Sequence, residues 1–142
     1  MDTSNLYTTF KSLANHELSL FKSIFYAFND EQLNAGLIKI GLEKNEHDKI
    51  CSIGAGGFIK KSELEDFKKW LQRRADELDE LLTNETFCYH AFVYELQNHE
   101  YSYTYDFTDT LECFGLEYHT LTPVQALALQ KAKNYVLANS ND

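Results

Sequence analysis

One proline and six glycines among 142 residues are too few for a collagen-like, linker-rich or low-complexity chain. The three cysteines, Cys51, Cys88 and Cys113, are an odd number with no CxxC spacing, which excludes a disulfide framework and a zinc site built from cysteine alone. They are expected to be small buried apolar residues. No apolar run approaches the roughly eighteen residues that cross a bilayer, and the N-terminus lacks the basic-then-apolar order of a secretion signal. A cytoplasmic location away from membranes is therefore expected. The most unusual shortage is of positive charge: residues 75–130 contain no Lys or Arg.

What is present is apolar material for a core. A content of 44% apolar and 14% aromatic residues fits one packed domain spanning residues 1–142. The patterning predicts a mainly α (α+β) fold of about five to six helices with a small β-hairpin or three-stranded sheet. Leu6, Phe10, Leu13, Phe21, Ile24, Phe25 and Phe28 recur at helical spacing, which predicts a first helix from Ser4 to Phe28. Asn29 with Gln32 forms a capping-box pair for a second helix ending near Ile40, before Gly41.

Residues 49–53 and 57–60 read as a hairpin through Gly54-Ala55-Gly56. Ser62 with Glu65 is a second box, opening a long third helix to about Thr83. Asn84 caps a fourth helix to about Asn98, lined by Phe87, Cys88, Ala91, Phe92 and Leu96. Tyr101, Tyr103 and Tyr105 alternate with small polar residues, the period of an extended piece that would add a third strand. A short helix begins at Asp106 or Thr108 and ends at Gly115. Thr122-Pro123-Val124-Gln125 opens a final helix with Val124, Leu127, Ala132 and Val136 on its buried face. The first few residues and residues 139–142 are expected to fray.

Residues 1–74 carry ten acids and eleven bases, whereas residues 75–130 carry eleven acids, so the net charge of −9 arises in that block. Six tyrosines share it: Tyr89, Tyr94, Tyr101, Tyr103, Tyr105 and Tyr118. An uncompensated acidic surface attracts cationic partners and repels nucleic acid, and tyrosines beside carboxylates suit contact with Arg and Lys. The bland alternative is that these acids only solubilise outer helix faces. Some local pairing is also expected on the third helix, at Glu65–Lys69, Asp66–Lys69 and Arg73–Asp76.

Residues 54–62 superficially resemble a phosphate-binding loop but lack the glycine before Lys-Ser, and a hairpin accounts for them. Lys60, Lys61, Lys68, Lys69, Arg73 and Arg74 are the one basic concentration, suited to a phosphate backbone or to a head-to-tail contact with the acidic half of another copy. Glu95 and His99 stand four apart, with Glu100, Asp106 and Asp109 following, so a carboxylate–histidine metal site is conceivable without any defined ligand motif. In the bland version the imidazole only terminates a helix. Cys88 or Cys113 paired with His90 or His99 would make a nucleophile, but an acidic surround disfavours the thiolate.

Residues 25–32, 54–62 and 94–101, with Thr104-Tyr105-Asp106 and Asp109-Thr110-Leu111, resemble a group of small acidic proteins carried by phages and mobile elements of gut bacteria. The resemblance covers most of residues 20–117. It implies a setting in which small acidic proteins often inhibit host defence, including anti-restriction and anti-CRISPR proteins, some of which mimic DNA in a basic nuclease groove.

The leading expectation is a non-enzymatic inhibitor that needs no cofactor and covers a basic surface of a nucleic-acid-binding nuclease in a bacterial host cell, without contacting nucleic acid itself. Its expected contacts are Asp76, Asp79, Glu80, Glu95, Glu100, Tyr101, Tyr103, Asp106 and Asp109. The alternatives are a metal-dependent enzyme using Glu95 and His99, and a scaffold of a mobile element that self-associates as a homo-oligomer.

Overall fold

Asn84 holds its side-chain oxygen 2.9 Å from the Phe87 amide and so starts the helix at the centre of one half of the molecule. The computed structural model describes residues 5–140; Ser4, the expected start of the first helix, and the first few residues expected to fray lie outside the described residues, as do Asn141 and Asp142. Among the described residues there are seven α-helices and a three-stranded antiparallel sheet: α1 Leu6–Leu18, β1 Phe25–Tyr26, α2 Asp30–Lys39, β2 Ile50–Gly54, β3 Gly57–Lys60, α3 Lys61–Leu81, α4 Glu85–Asn98, α5 Tyr101–Thr104, α6 Thr108–Glu112 and α7 Pro123–Ala138. The fold is thus mainly α with a small sheet. It forms two compact units, one of residues 5–13 with 76–140 and the other of residues 14–75.

In the first unit α4 packs chiefly on α7 and also meets α5 and α6. Ala91, Ala128 and Ala132 are fully buried, and their small side chains let helix backbones approach closely. Phe87, Phe92, Leu96, Leu111, Phe114 and Leu129 fill the surrounding space. Thr122 and Gln125 close a reciprocal capping box on α7, with Pro123 in its first turn. The buried face of α7 is rotated from the expected one. Gln125, Ala128 and Leu129 join Ala132 and Val136 inside, while Val124 and Leu127 are exposed. Gln125 can be buried because its side-chain amide donates to the Leu82 carbonyl at 3.2 Å.

In the second unit β3 is central, in the order β1-β3-β2. The hairpin turn places Ala55 at φ 53 and Gly56 at φ 80, the two left-handed positions of a tight hairpin turn. Asn29 accepts from the Gln32 amide at 2.8 Å and caps α2; the Gln32 side chain reaches one residue further back, to the Phe28 amide at 2.8 Å.

Four expectations fail here for identifiable reasons. The long first helix stops at Leu18, and Phe25 enters a strand, pairing with Phe58 in register and stacking on its ring at 5.6 Å between centroids. Phe21 leaves the helix to meet Phe67 and Trp70 edge-on. Apolar spacing of three to four residues therefore persisted across a turn and a strand. The third strand is consequently β1, while Tyr101–Thr104 is a short helix. The Ser62–Glu65 box does not form, because α3 already begins at Lys61. Ser23 organises that start: its hydroxyl accepts from the Lys60 amide at 3.2 Å and donates to the Glu63 carboxylate. Nor do Glu65–Lys69 and Asp66–Lys69 close as ion pairs among the described residues; Arg74 instead pairs with Glu17 at 3.5 Å, and Trp70 donates to the same carboxylate at 2.7 Å.

Gly36 supplies a test of this packing. A Cβ at this position would sit 2.1 Å from Cδ2 of Phe25, a ring only 6% exposed. Gly36→Ala gains helix propensity but overpacks, so a net loss of roughly 1–2 kcal/mol is expected in urea unfolding. A raised midpoint would contradict the packing described.

Candidate functional site

Glu95 lies one turn before the end of α4 on its inward face and is 3% exposed, although it carries a carboxylate. A buried charge is tolerated only when it is paired and hydrogen-bonded. The Tyr7 hydroxyl, from α1, donates to Oε2 at 2.6 Å, and Lys11 Nζ, one turn further along α1, lies 3.6 Å from the same oxygen. Asn98 Nδ2 donates to Oε1 at 3.2 Å. Burial, and then the bond to Glu95, push the Tyr7 hydroxyl far above its ordinary pKa, so it remains a donor. Lys11 also sits over the Tyr7 and Tyr94 rings, 5.3 and 5.0 Å from their centroids.

His99 Nε2 approaches Oε1 at 3.6 Å from the helix C-cap, four residues on. Cys113, the C-cap of α6, brings Sγ to 3.4 Å from the same Nε2. The carboxylate oxygen, the imidazole nitrogen and the sulfur all lie within 4.8 Å of one another. Partial burial, and then the Glu95 charge, raise the Cys113 thiol, while Lys11 opposes them. Carboxylate and thiol meet one nitrogen rather than opposite sides of the ring. A nucleophile relay needs the acid on the nitrogen remote from the thiol, so this arrangement is not one.

The other cysteine–histidine combinations do not form. Cys88 is fully buried, donates to the Leu82 carbonyl at 2.8 Å and is pushed by burial to a pKa of about 11. His90 Nδ1 accepts from the Leu6 amide at 2.9 Å at the start of α1. Cysteine burial was expected throughout; Cys51 is only partly buried, and Cys113 is exposed because it closes a short surface helix.

Beyond His99 the backbone takes two left-handed turns at non-glycine residues, Glu100 and Tyr105, each at φ 57. That conformation costs about 1–2 kcal/mol per L-residue. Between them α5 turns Tyr101 inward to 5% exposure, with its ring edge-on to Tyr105 at 6.0 Å, and leaves Tyr103 and Tyr105 68% and 66% exposed. Asp106 accepts from the Thr108 amide at 2.8 Å; that bond, and then the Thr108 hydroxyl, hold its carboxyl below the usual range. Glu100, Asp106, Asp109 and Glu112 are all exposed. Among the described residues, Glu100, Asp109 and Glu112 form no ion pair within the chain.

The model of a family of unknown function, DUF7659, matches residues 17–136. The chain belongs to this family. No curated protein and no solved structure matches it. No helix among the described residues of this DUF7659 member is long and apolar enough to cross a membrane.

Of the nine expected contact residues, Glu100, Tyr103, Asp106 and Asp109 fall together on the exposed α5–α6 segment. Asp76, Asp79 and Glu80 are exposed on a separate element, the last turns of α3. Glu95 and Tyr101 leave the contact set: the first gives its oxygens to its own chain and the second belongs to the core. Tyr7, Lys11 and Asn98 went unnoticed in the sequence. Asn98 stands three residues from Glu95, a readable helical spacing, but the α1 residues are more than eighty positions away and carry no local signal. Tyr7→Phe removes a donor from a buried carboxylate and should lower stability by roughly 1.5–3 kcal/mol in chemical denaturation. An unchanged midpoint would show that the bond contributes nothing.

Proposed function

We propose that this DUF7659 member is a binding protein whose α5–α6 segment covers a basic surface of a nucleic-acid-handling protein. A nuclease blocked in the manner of anti-restriction or anti-CRISPR inhibitors is the specific form of this reading. The observation that carries it is the segment from Glu100 to Glu112: Tyr103 and Tyr105 are two-thirds exposed among four exposed acids, in a 56-residue stretch with no Lys or Arg. Carboxylates in such a setting stand in for phosphates toward Arg and Lys, and tyrosine rings supply rigid apolar contact. The two left-handed residues fix the shape of the segment at an energetic cost, as functional loops often do. A target of this kind places the protein in the cytoplasm of a bacterial host.

The test compares the parent chain with a Glu100→Lys, Asp106→Lys, Asp109→Lys triple variant. Both are used to capture proteins from host lysate at low and moderate salt, and binding of the captured protein is then measured with purified components. The parent should retain a nucleic-acid-binding protein, less tightly as salt rises. The variant should bind it about a hundredfold more weakly or worse, since like charges brought together cost several kcal/mol. Equal binding by the variant would overturn the assignment. Salt-sensitive association of the chain with itself, and with nothing else, would favour the scaffold reading.

A further inference from the structure

We infer that Glu95, His99 and Cys113 form a binding site for one divalent transition-metal ion of the zinc class, with a fourth coordination position left to water or an outside ligand. The inference is independent of the acidic segment's role. It rests first on convergence, because Glu95 Oε1 and Cys113 Sγ meet on the one nitrogen, His99 Nε2. Tetrahedral zinc with ordinary bond lengths requires sulfur and nitrogen ligands about 3.6 Å apart, and nitrogen and oxygen ligands about 3.4 Å apart. The corresponding separations here are 3.4 and 3.6 Å. Two edges of a zinc-sized tetrahedron are therefore matched, the carboxylate oxygen and the sulfur lie within 4.8 Å of each other, and one vertex is left open.

The second support is the way the carboxylate is held. Tyr7 and Lys11 both engage Oε2, which fixes the group in the interior and leaves Oε1 to Asn98, at 3.2 Å, and to His99. Outer hydrogen bonds of this kind orient carboxylate ligands in metal sites. A sulfur, a nitrogen and an oxygen together select a borderline cation such as Zn²⁺, Co²⁺ or Fe²⁺ over Mg²⁺ or Ca²⁺, which prefer oxygen alone. The cation replaces the thiol proton, so binding leaves a metal thiolate and releases that proton to solvent.

The test uses the full chain, stripped with chelator and titrated with CoCl₂ and with ZnCl₂ by absorption spectroscopy and calorimetry. One equivalent should bind, with thiolate-to-cobalt charge-transfer absorption and the intense visible bands of tetrahedral cobalt. Cys113→Ser should abolish the charge-transfer absorption. Cys113→Ser and His99→Ala should each weaken zinc binding at least tenfold while circular dichroism and the urea midpoint without metal stay unchanged. Cys113 is exposed and His99 half-buried, and His99→Gln serves as a second variant if alanine disturbs the end of α4. Cys51→Ser should bind as the parent does. MgCl₂ should not compete. Absence of stoichiometric binding, or undiminished binding by the Cys113 and His99 variants, would overturn the site.

Discussion

The close packing of α4 against α7 is the constraint on which the unit of residues 5–13 and 76–140 depends. Alanines at the buried positions 91, 128 and 132 bring helix backbones close, and the large side chains Phe87, Phe92, Leu96 and Leu129 fill the space around them. A core of this density tolerates a charge only under strict conditions. Glu95 meets them with the phenol of Tyr7, the ammonium of Lys11 and the amide of Asn98. The buried carboxylate thereby ties α1 to α4. It also fixes the direction of Oε1, which Asn98 and His99 share and without which His99 and Cys113 would be only two surface side chains.

The excursion from Glu100 to Cys113 has two consequences. By folding as α5, a turn and α6, it returns Cys113 to His99 and closes the ligand cluster. On its way it exposes Tyr103, Tyr105 and a row of acids, so the proposed contact surface and the proposed metal site share one stretch of backbone. The left-handed residues Glu100 and Tyr105 give that stretch its path. Glycine would adopt both conformations more readily, so each of these residues carries the strain of a left-handed L-residue.

Local chemistry was legible in the sequence. Asn29, Asn84 and Thr122 cap helices as their spacing requires, because each bond joins residues within one turn, whereas Ser62 failed as a cap where distant Ser23 organises the start of α3. The hairpin was legible for the same reason. Where the outcome depends on distant partners, pattern alone misled. Phe25 has helical spacing to Phe21 and Phe28, yet its strand is determined by Phe58 more than thirty residues later. Three alternating tyrosines fit a strand, but the burial of Tyr101 against α4 and α7 holds the segment helical. Glu95 and His99 were visible as a pair through their helical spacing. Cys113 was set beside His99 only as one of several cysteine–histidine combinations, and nothing local selected that one, since its position follows from two short helices with no periodic signature.

A basic partner covering the α5–α6 segment, as proposed, would shield its backbone amides from solvent. Amide hydrogen exchange of the chain, alone and bound to the protein it captures, tests this most directly. Slowed exchange concentrated in residues 100–112 is the predicted result. Protection confined to residues 14–75, with 100–112 exchanging as in the free chain, would contradict it.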